Sequence, residues 1–263
     1  MPTDNHKILI IVKNHTDYGY FRMALYNSKY LNADIAVFPF PFDAALIPTS
    51  LDYKDLKNSI ENSKISYFDI KLRKFYKIDF SKYNRIILCH GNNTNDLMLL
   101  MFFAKYYNKP FYELDISNYK NNDGLAFFRN LDFSFIRNLF GKESLVSGSQ
   151  IKKLQKDWDF LKEKDTGFHS VNNDGFVVNS NPDKYWEEIS NILKDSALSL
   201  ARLVGEMMSR HIFNTEQYVL KVILYFFLKG KLQVVQTQKN KKLDILSKNI
   251  DEINYQTLFK TVD

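Results

Sequence analysis

Two short polar stretches hold the residue types that could act together on a ligand: Asn14-His15-Thr16-Asp17 and His90-Gly91-Asn92-Asn93-Thr94-Asn95-Asp96. Each follows an apolar run and precedes a helical pattern. A helix N-terminus offers unpaired backbone N–H groups and a partial positive charge, so it favours an anionic group. Gly91 permits a tight turn or a close ligand approach, and His15 and His90 carry the side chains that exchange a proton near neutral pH. The candidate ligand-binding set is therefore Asn14, His15, Asp17, His90, Gly91, Asn92, Asn93, Thr94, Asn95 and Asp96, with His15 and His90 as candidate acid and base. The same residue types also serve plain structural ends, since Asn, Thr and Asp cap helices and Asn and Gly make turns. With one glycine and no GK[ST] sequence, the second stretch is neither a P-loop nor a dinucleotide fingerprint.

Asp43 and Asp115 are further carboxylates that the fold could bring to the same mouth. Metal-ligand spacing is absent: there is no HExxH motif, and no GxSxG elbow marks a nucleophile. No metal site is expected, and no cofactor is specified. Cys89, the single cysteine, lies inside an apolar run and reads as an inert buried thiol. His169 and His211 fall by loop or helix ends, where exposed or capping histidines are expected. Trp158 and Trp186 read as staples between helices and core.

The elements that must position these loops follow from periodicity. Residues 7–13 are a β-branched strand, 18–31 a helix and 34–40 a second strand, which opens a right-handed βαβ unit. Residues 85–90 read as a strand buried on both faces, 95–107 as an apolar helix and 110–116 as the next strand. Between the units lie a Pro-punctuated loop over 39–48, a helix over 52–63 and a strand over 65–70. The expected fold class is α/β: a three-layer N-terminal domain over 1–146 with a mainly parallel sheet, whose strand ends carry the crevice. After residue 120 strand signals fade and a Phe-rich helix over 125–140 leads to Ser147-Gly148-Ser149. A mostly helical C-terminal domain is expected over 147–263. It holds helices over 150–164, 183–194, 196–209 and 215–229, a hairpin turning at Asn173-Asp174-Gly175, and a terminal β-hairpin around the polar turn 238–242.

Composition bounds the class. The chain has 263 residues, 45% apolar and 25% charged, which is globular and excludes collagen-like, disordered or disulfide-framework chains. One cysteine and no apolar run near the roughly 18 residues of a membrane span point to a cytoplasmic protein without a membrane partner. The net charge of +6 comes from 36 basic and 30 acidic residues spread along the chain. Two clusters stand out: Lys71, Arg73, Lys74, Lys77, Lys82 and Arg85, and Lys221, Lys229, Lys231, Lys239, Lys241, Lys242 and Lys248. Three helices followed by a basic hairpin have winged-helix-like order. The helix that would enter a groove, 215–229, is apolar nearly all round, so it reads as buried scaffold and nucleic acid is not favoured.

The stretch 83–97, with its strand, polar turn and apolar helix, resembles the bacterial domain-of-unknown-function family 1835. The second half resembles family 3658 in the order of Trp158 and Leu161, the turn at Asp174-Gly175, the helix start Pro182-Asp183-Lys184-Tyr185-Trp186, the segment 201–206 and the segment 228–232. The resemblance implies a two-domain architecture in a bacterial cytoplasm and supplies no reaction.

The expected function is a binding or regulatory module with a small anionic-ligand crevice at the carboxyl ends of the strands. The alternatives are a transferase or hydrolase acting on a phosphorylated or nucleotide-like substrate, and a nucleic-acid-binding protein using the basic clusters. A homo-oligomer is compatible with all three.

Overall fold

The computed structural model describes residues 7–26, 28, 33–63, 72–107, 109–119, 126–210, 215–236, 244–245 and 257–262. The strand expected over 65–70, the polar turn over 238–242 and His211 lie outside these residues.

The chain opens with strand β1 (Ile8–Val12), helix α1 (His15–Leu25) and strand β2 (Asp34–Val37). Helix α2 (Tyr53–Asn62), strand β3 (Arg85–His90), helix α3 (Thr94–Tyr106) and strand β4 (Tyr112–Asp115) follow. Helix α4 (Phe133–Leu139) leads to the short strand β5 (Ser144–Leu145). These strands form one sheet in the order β2-β1-β3-β4-β5, parallel through β4 and antiparallel at β5. The order reverses between β1 and β3, so the loops after those two strands leave the sheet at its switch point, where open α/β sheets take ligands.

Side-chain alternation sorts the strands onto two cores. Ile10, Val12, Ile87 and Cys89 face the layer holding α1 and α4, while Leu9, Ile11, Ile86 and Leu88 face α3. Helix α3 is apolar nearly all round because it is covered twice, by the sheet and by helix α5 (Gly148–Glu163). Trp158 of α5 is fully buried and meets Phe42, Phe102 and Tyr106 with ring centroids 6.0, 5.6 and 6.0 Å away. The staple expected of it is in place, and the core on this face runs on into the second half without a break.

The second half continues with the hairpin β6 (His169–Val171) and β7 (Val177–Asn179), then helices α6 (Trp186–Leu193) and α7 (Leu200–Ser209) with strand β8 (Leu198–Ser199) between them. Helix α8 (Glu216–Leu228) is followed by strands β9 (Leu232–Gln236), β10 (Asp244–Ile245) and β11 (Leu258–Thr261). The antiparallel pair β9–β10 is joined by β11 and β8 into a sheet of order β10-β9-β11-β8. Most of α8 is buried, as its composition requires.

Three elements differ from the periodicity. The Phe-rich helix over 125–140 is a 3-10 turn (Phe128–Asn130) and then α4, because Asp132 caps a new helix through Ser134 N and Phe135 N. Strand β5 adds an antiparallel edge that two residues are too few to signal. The helix expected from 196 begins at Leu200, where Ser199 accepts from Arg202 N.

Candidate small-ligand crevice

The two loops share one rim. A cavity of about 450 Å3 is bounded by Lys13, Asn14, His15, Thr16 and Asp17 of the first loop and by Asn93, Asn95 and Asp96 of the second. Phe127 and Phe128 form one wall, and Thr215, Glu216 and Gln217 close the cavity from the second half. The N-termini of α1, α3 and α8 therefore meet at one place.

Both loops are built by the same four-residue device. Asn14 accepts from Asp17 N at 2.8 Å while its amide donates to Asp17 Oδ2 at 2.8 Å. Asn93 accepts from Asp96 N at 3.1 Å and donates to Asp96 Oδ2 at 2.7 Å. This reciprocal cap, an Asn-x-x-Asp relative of the capping box, accounts for four of the polar residues structurally. Asp96 also accepts from Gly91 N at 2.8 Å. Burial raises the Asp96 carboxyl above its ordinary range, opposed by that N–H and by the His90 and Lys13 charges.

Gly91 and Asn92 act as braces. A Cβ on Gly91 would sit 2.1 Å from the Ala126 carbonyl oxygen, so only glycine fits the close approach. Asn92 accepts from Ala126 N at 2.8 Å. Together they hold the segment that carries Phe127 and Phe128. Thr94 is fully buried in the first turn of α3.

His90 is not among the residues that line this cavity. Strand alternation turns it, with Leu88, to the α3 face. Its Nε2 lies 3.2 Å from Glu113 Oε2 and its Nδ1 lies 3.1 Å from the Gly91 carbonyl. Burial alone would lower its pKa, but the Glu113 hydrogen bond, the Asp115 charge and the Gly91 carbonyl outweigh it, and the net direction is upward. Glu113 is lowered, chiefly by accepting from His90. Asp115, at the same strand end, is also off the cavity. His15 stands exposed on the rim.

Asp43 lies behind the rim rather than on it. It is fully buried and accepts from the Thr215 hydroxyl at 2.6 Å. Burial raises its pKa, opposed by hydrogen bonds from Thr215 and Asn95 and by the Lys13 and His169 charges. His169 is not the exposed or capping residue its position suggested. It is fully buried, with Nδ1 2.6 Å from the Phe42 carbonyl and Nε2 3.1 Å from Asp165 Oδ1, while its backbone N–H reaches the Asp43 carbonyl. The second half thus grips the 42–43 turn from both sides.

Lys13 went unnoticed as a site residue. It follows β1 directly, is 8% exposed, and lines the cavity within the field of Asp43, Asp96 and Asp17. Its Nζ lies 5.8 Å from the Phe42 ring centroid, no carboxylate among the described residues is within ion-pair distance, and burial brings its pKa down to about 8 against the pull of the three acids. Asn95, 2% exposed, lines the same cavity, and its side chain accepts from Asp43 N at 3.3 Å and turns to the Asp43 carboxylate. A lysine closing an apolar strand just before a helix cap was the available signal for the first of these. Thr215 and Gln217 carried none beyond capping, because they arrive from a distant part of the chain.

Cys89 is buried and its thiol is pushed well up by desolvation, as expected of an inert side chain. Among the described residues no cluster of His, Cys, Asp or Glu could hold a metal, and no helix is long and apolar enough to cross a membrane. Several basic-cluster members have other duties. Arg85 stacks on Tyr112 at 4.1 Å and pairs with Glu143 at 3.2 Å, and Lys221 donates to the Gly167 carbonyl at 2.6 Å. Lys231 lies 4.7 Å from the Trp186 ring. Lys71, Lys239, Lys241, Lys242 and Lys248 lie outside the described residues. No family model matches the chain, and no curated protein or solved structure shows significant similarity to it.

Proposed function

We propose that the protein is a cytoplasmic binding module for a small, singly charged anion, held in the crevice between the loops after β1 and β3. The observation that carries this reading is the convergence of Lys13 with the N-termini of α1, α3 and α8 on one 450 Å3 cavity. Charge decides the ligand class. Three helix ends at about half a positive charge each, with Lys13, offset part of the charge of the carboxylates of Asp17, Asp43, Asp96 and Glu216. Burial also holds two of those carboxylates toward the neutral form. A monocarboxylate fits that balance, whereas a phosphate dianion would add a second charge beside Asp17 and Asp96. The phosphorylated or nucleotide-like ligand considered from the sequence is the less favoured class for this reason.

Catalysis by a His90 pair is disfavoured because both ring nitrogens are already engaged away from the cavity. A thermal-shift series with lactate, glyoxylate, inorganic phosphate and AMP tests the reading. A ligand that binds only the folded chain raises the melting temperature by mass action. The monocarboxylates are expected to raise it more than the phosphates at equal concentration, and the reverse order or no shift at all would overturn the proposal.

A further inference from the structure

Lys13 combines features that a structural counter-ion does not need. Its amine is buried at the floor of a cavity, it lies near three carboxylates without closing an ion pair to any of them, and its position after β1 is fixed by the sheet. A buried lysine kept for stability alone is normally paired at short range, because an unpaired buried charge is costly. Asn95, whose side chain turns to Asp43, lines the same space. The Lys13 amine lies 5.8 Å from the Phe42 ring centroid, in a cavity edged by helix N-termini, and an amine so placed matches the carbonyl end of a small oxo acid whose carboxylate meets those N-termini.

We propose that Lys13 forms an imine with the carbonyl carbon of a small 2-oxo acid whose carboxylate rests against the helix N-termini. The proposal rests on the crevice reading above and specifies its ligand. The neutral Nζ attacks the carbonyl carbon, a C–N bond forms, and the carbonyl π pair moves to oxygen, which takes a proton to give a carbinolamine. Nitrogen gives up a proton, the hydroxyl takes one and leaves as water, and the C=N bond closes. The sum is amine plus carbonyl to imine plus water, with no oxidation. The groups facing Lys13 from the neighbouring elements are Asp17, Asp43, Asp96, His15 and Glu216.

The test uses the intact wild-type chain with glyoxylate or pyruvate and cyanoborohydride, followed by digestion and mass mapping of reduced adducts. Label is expected on Lys13 about tenfold or more above any exposed lysine at about pH 7.5, where its neutral fraction is roughly two hundredfold larger than that of an ordinary lysine. The labelling rate is expected to rise through about pH 8 and level off above it. Lactate, which has no carbonyl, is expected to slow the labelling without forming an adduct. Label spread over exposed lysines with Lys13 spared would overturn the imine. If lactate still raises the melting temperature in that case, the crevice reading survives alone. If Lys13 is labelled but lactate neither protects nor stabilises, the anion-binding reading is overturned, and with it the placement of the acid's carboxylate on the helix N-termini. Lys13→Arg, which keeps the charge, is expected to remove the selective adduct while the protein melts as a folded chain.

Discussion

Thr215 donates its hydroxyl to the Asp43 carboxylate at 2.6 Å, across 172 residues of sequence. The same hydroxyl oxygen accepts from Tyr218 N at 3.2 Å, so one side chain both starts α8 and ties it to the turn behind the crevice. That bond explains how the second half comes to furnish a wall of a cavity whose other walls belong to the first sheet.

Thr215→Val removes the cap and takes from the buried Asp43 carboxylate its hydroxyl donor. The expected cost is about 2–4 kcal/mol, from a lost cap and an unsatisfied buried carboxylate. Urea unfolding measures it. Adding Asp43→Asn removes the unsatisfied charge, so the double variant is expected to be more stable than Thr215→Val alone. Equal stability of the two would show that the bond carries no such coupling.

The His90–Glu113 pair gives a pH signature. His90 has its pKa raised above the ordinary 6.5, so its contribution is complete below 6.5 and is lost as pH rises through the higher folded value. Glu113 is lowered from 4.5, so its contribution is present above 4.5 and is lost as pH falls through the folded value. The stability difference between wild type and His90→Gln is therefore expected to peak between 4.5 and 6.5 and to shrink above that window. Denaturation midpoints across pH read this directly. Because His90 lies off the cavity, ligand affinity in His90→Gln is expected to stay unchanged.

Gly91→Ala would place a methyl group 2.1 Å from the Ala126 carbonyl. Relief requires moving the backbone, which breaks the Asn92 bond to Ala126 N and shifts Phe127 and Phe128. A loss of about 1–3 kcal/mol is expected from overpacking, with weaker ligand binding because a cavity wall moves. Calorimetric titration of the folded variant checks the second effect, and unchanged affinity would detach the 126–128 segment from the site.

Trp158→Ala empties the centre of the core that joins α3, α5 and the 38–42 segment. A cost of about 3–5 kcal/mol is expected. Because the buried cluster is continuous across both halves, wild-type unfolding is expected to give one transition by far-UV circular dichroism and by tryptophan fluorescence, and two separated transitions would contradict that continuity.

Much of this geometry is legible in the sequence. The β-branched runs at 8–12 and 85–90 and the polar stretches after them located the switch-point loops, because burial on both faces of a parallel sheet leaves a plain hydrophobic signal. The composition of α8 likewise announced a buried helix. What stayed hidden depended on direction or on distance along the chain. His90 ends a strand beside the crevice and shares its face with Lys13, yet its ring is drawn to Glu113 on the neighbouring strand and to the Gly91 carbonyl. Lys13 looked like the flank of a strand, since no local pattern distinguishes a lysine that turns outward from one that lines a floor. His169 and Thr215 acquire their meaning only when the second half folds over the 42–43 turn, a contact between residues more than 120 positions apart.

The central claim is that Lys13 and three helix N-termini form one anion-accepting crevice. Titrating 15N-labelled protein with lactate at low ionic strength tests it residue by residue. Saturable amide shifts are expected at Thr16, Asn95 and Gln217, which reach the cavity from three separate elements, with Glu113 unaffected. Shifts absent from those three amides, or confined to exposed lysines elsewhere, would contradict it.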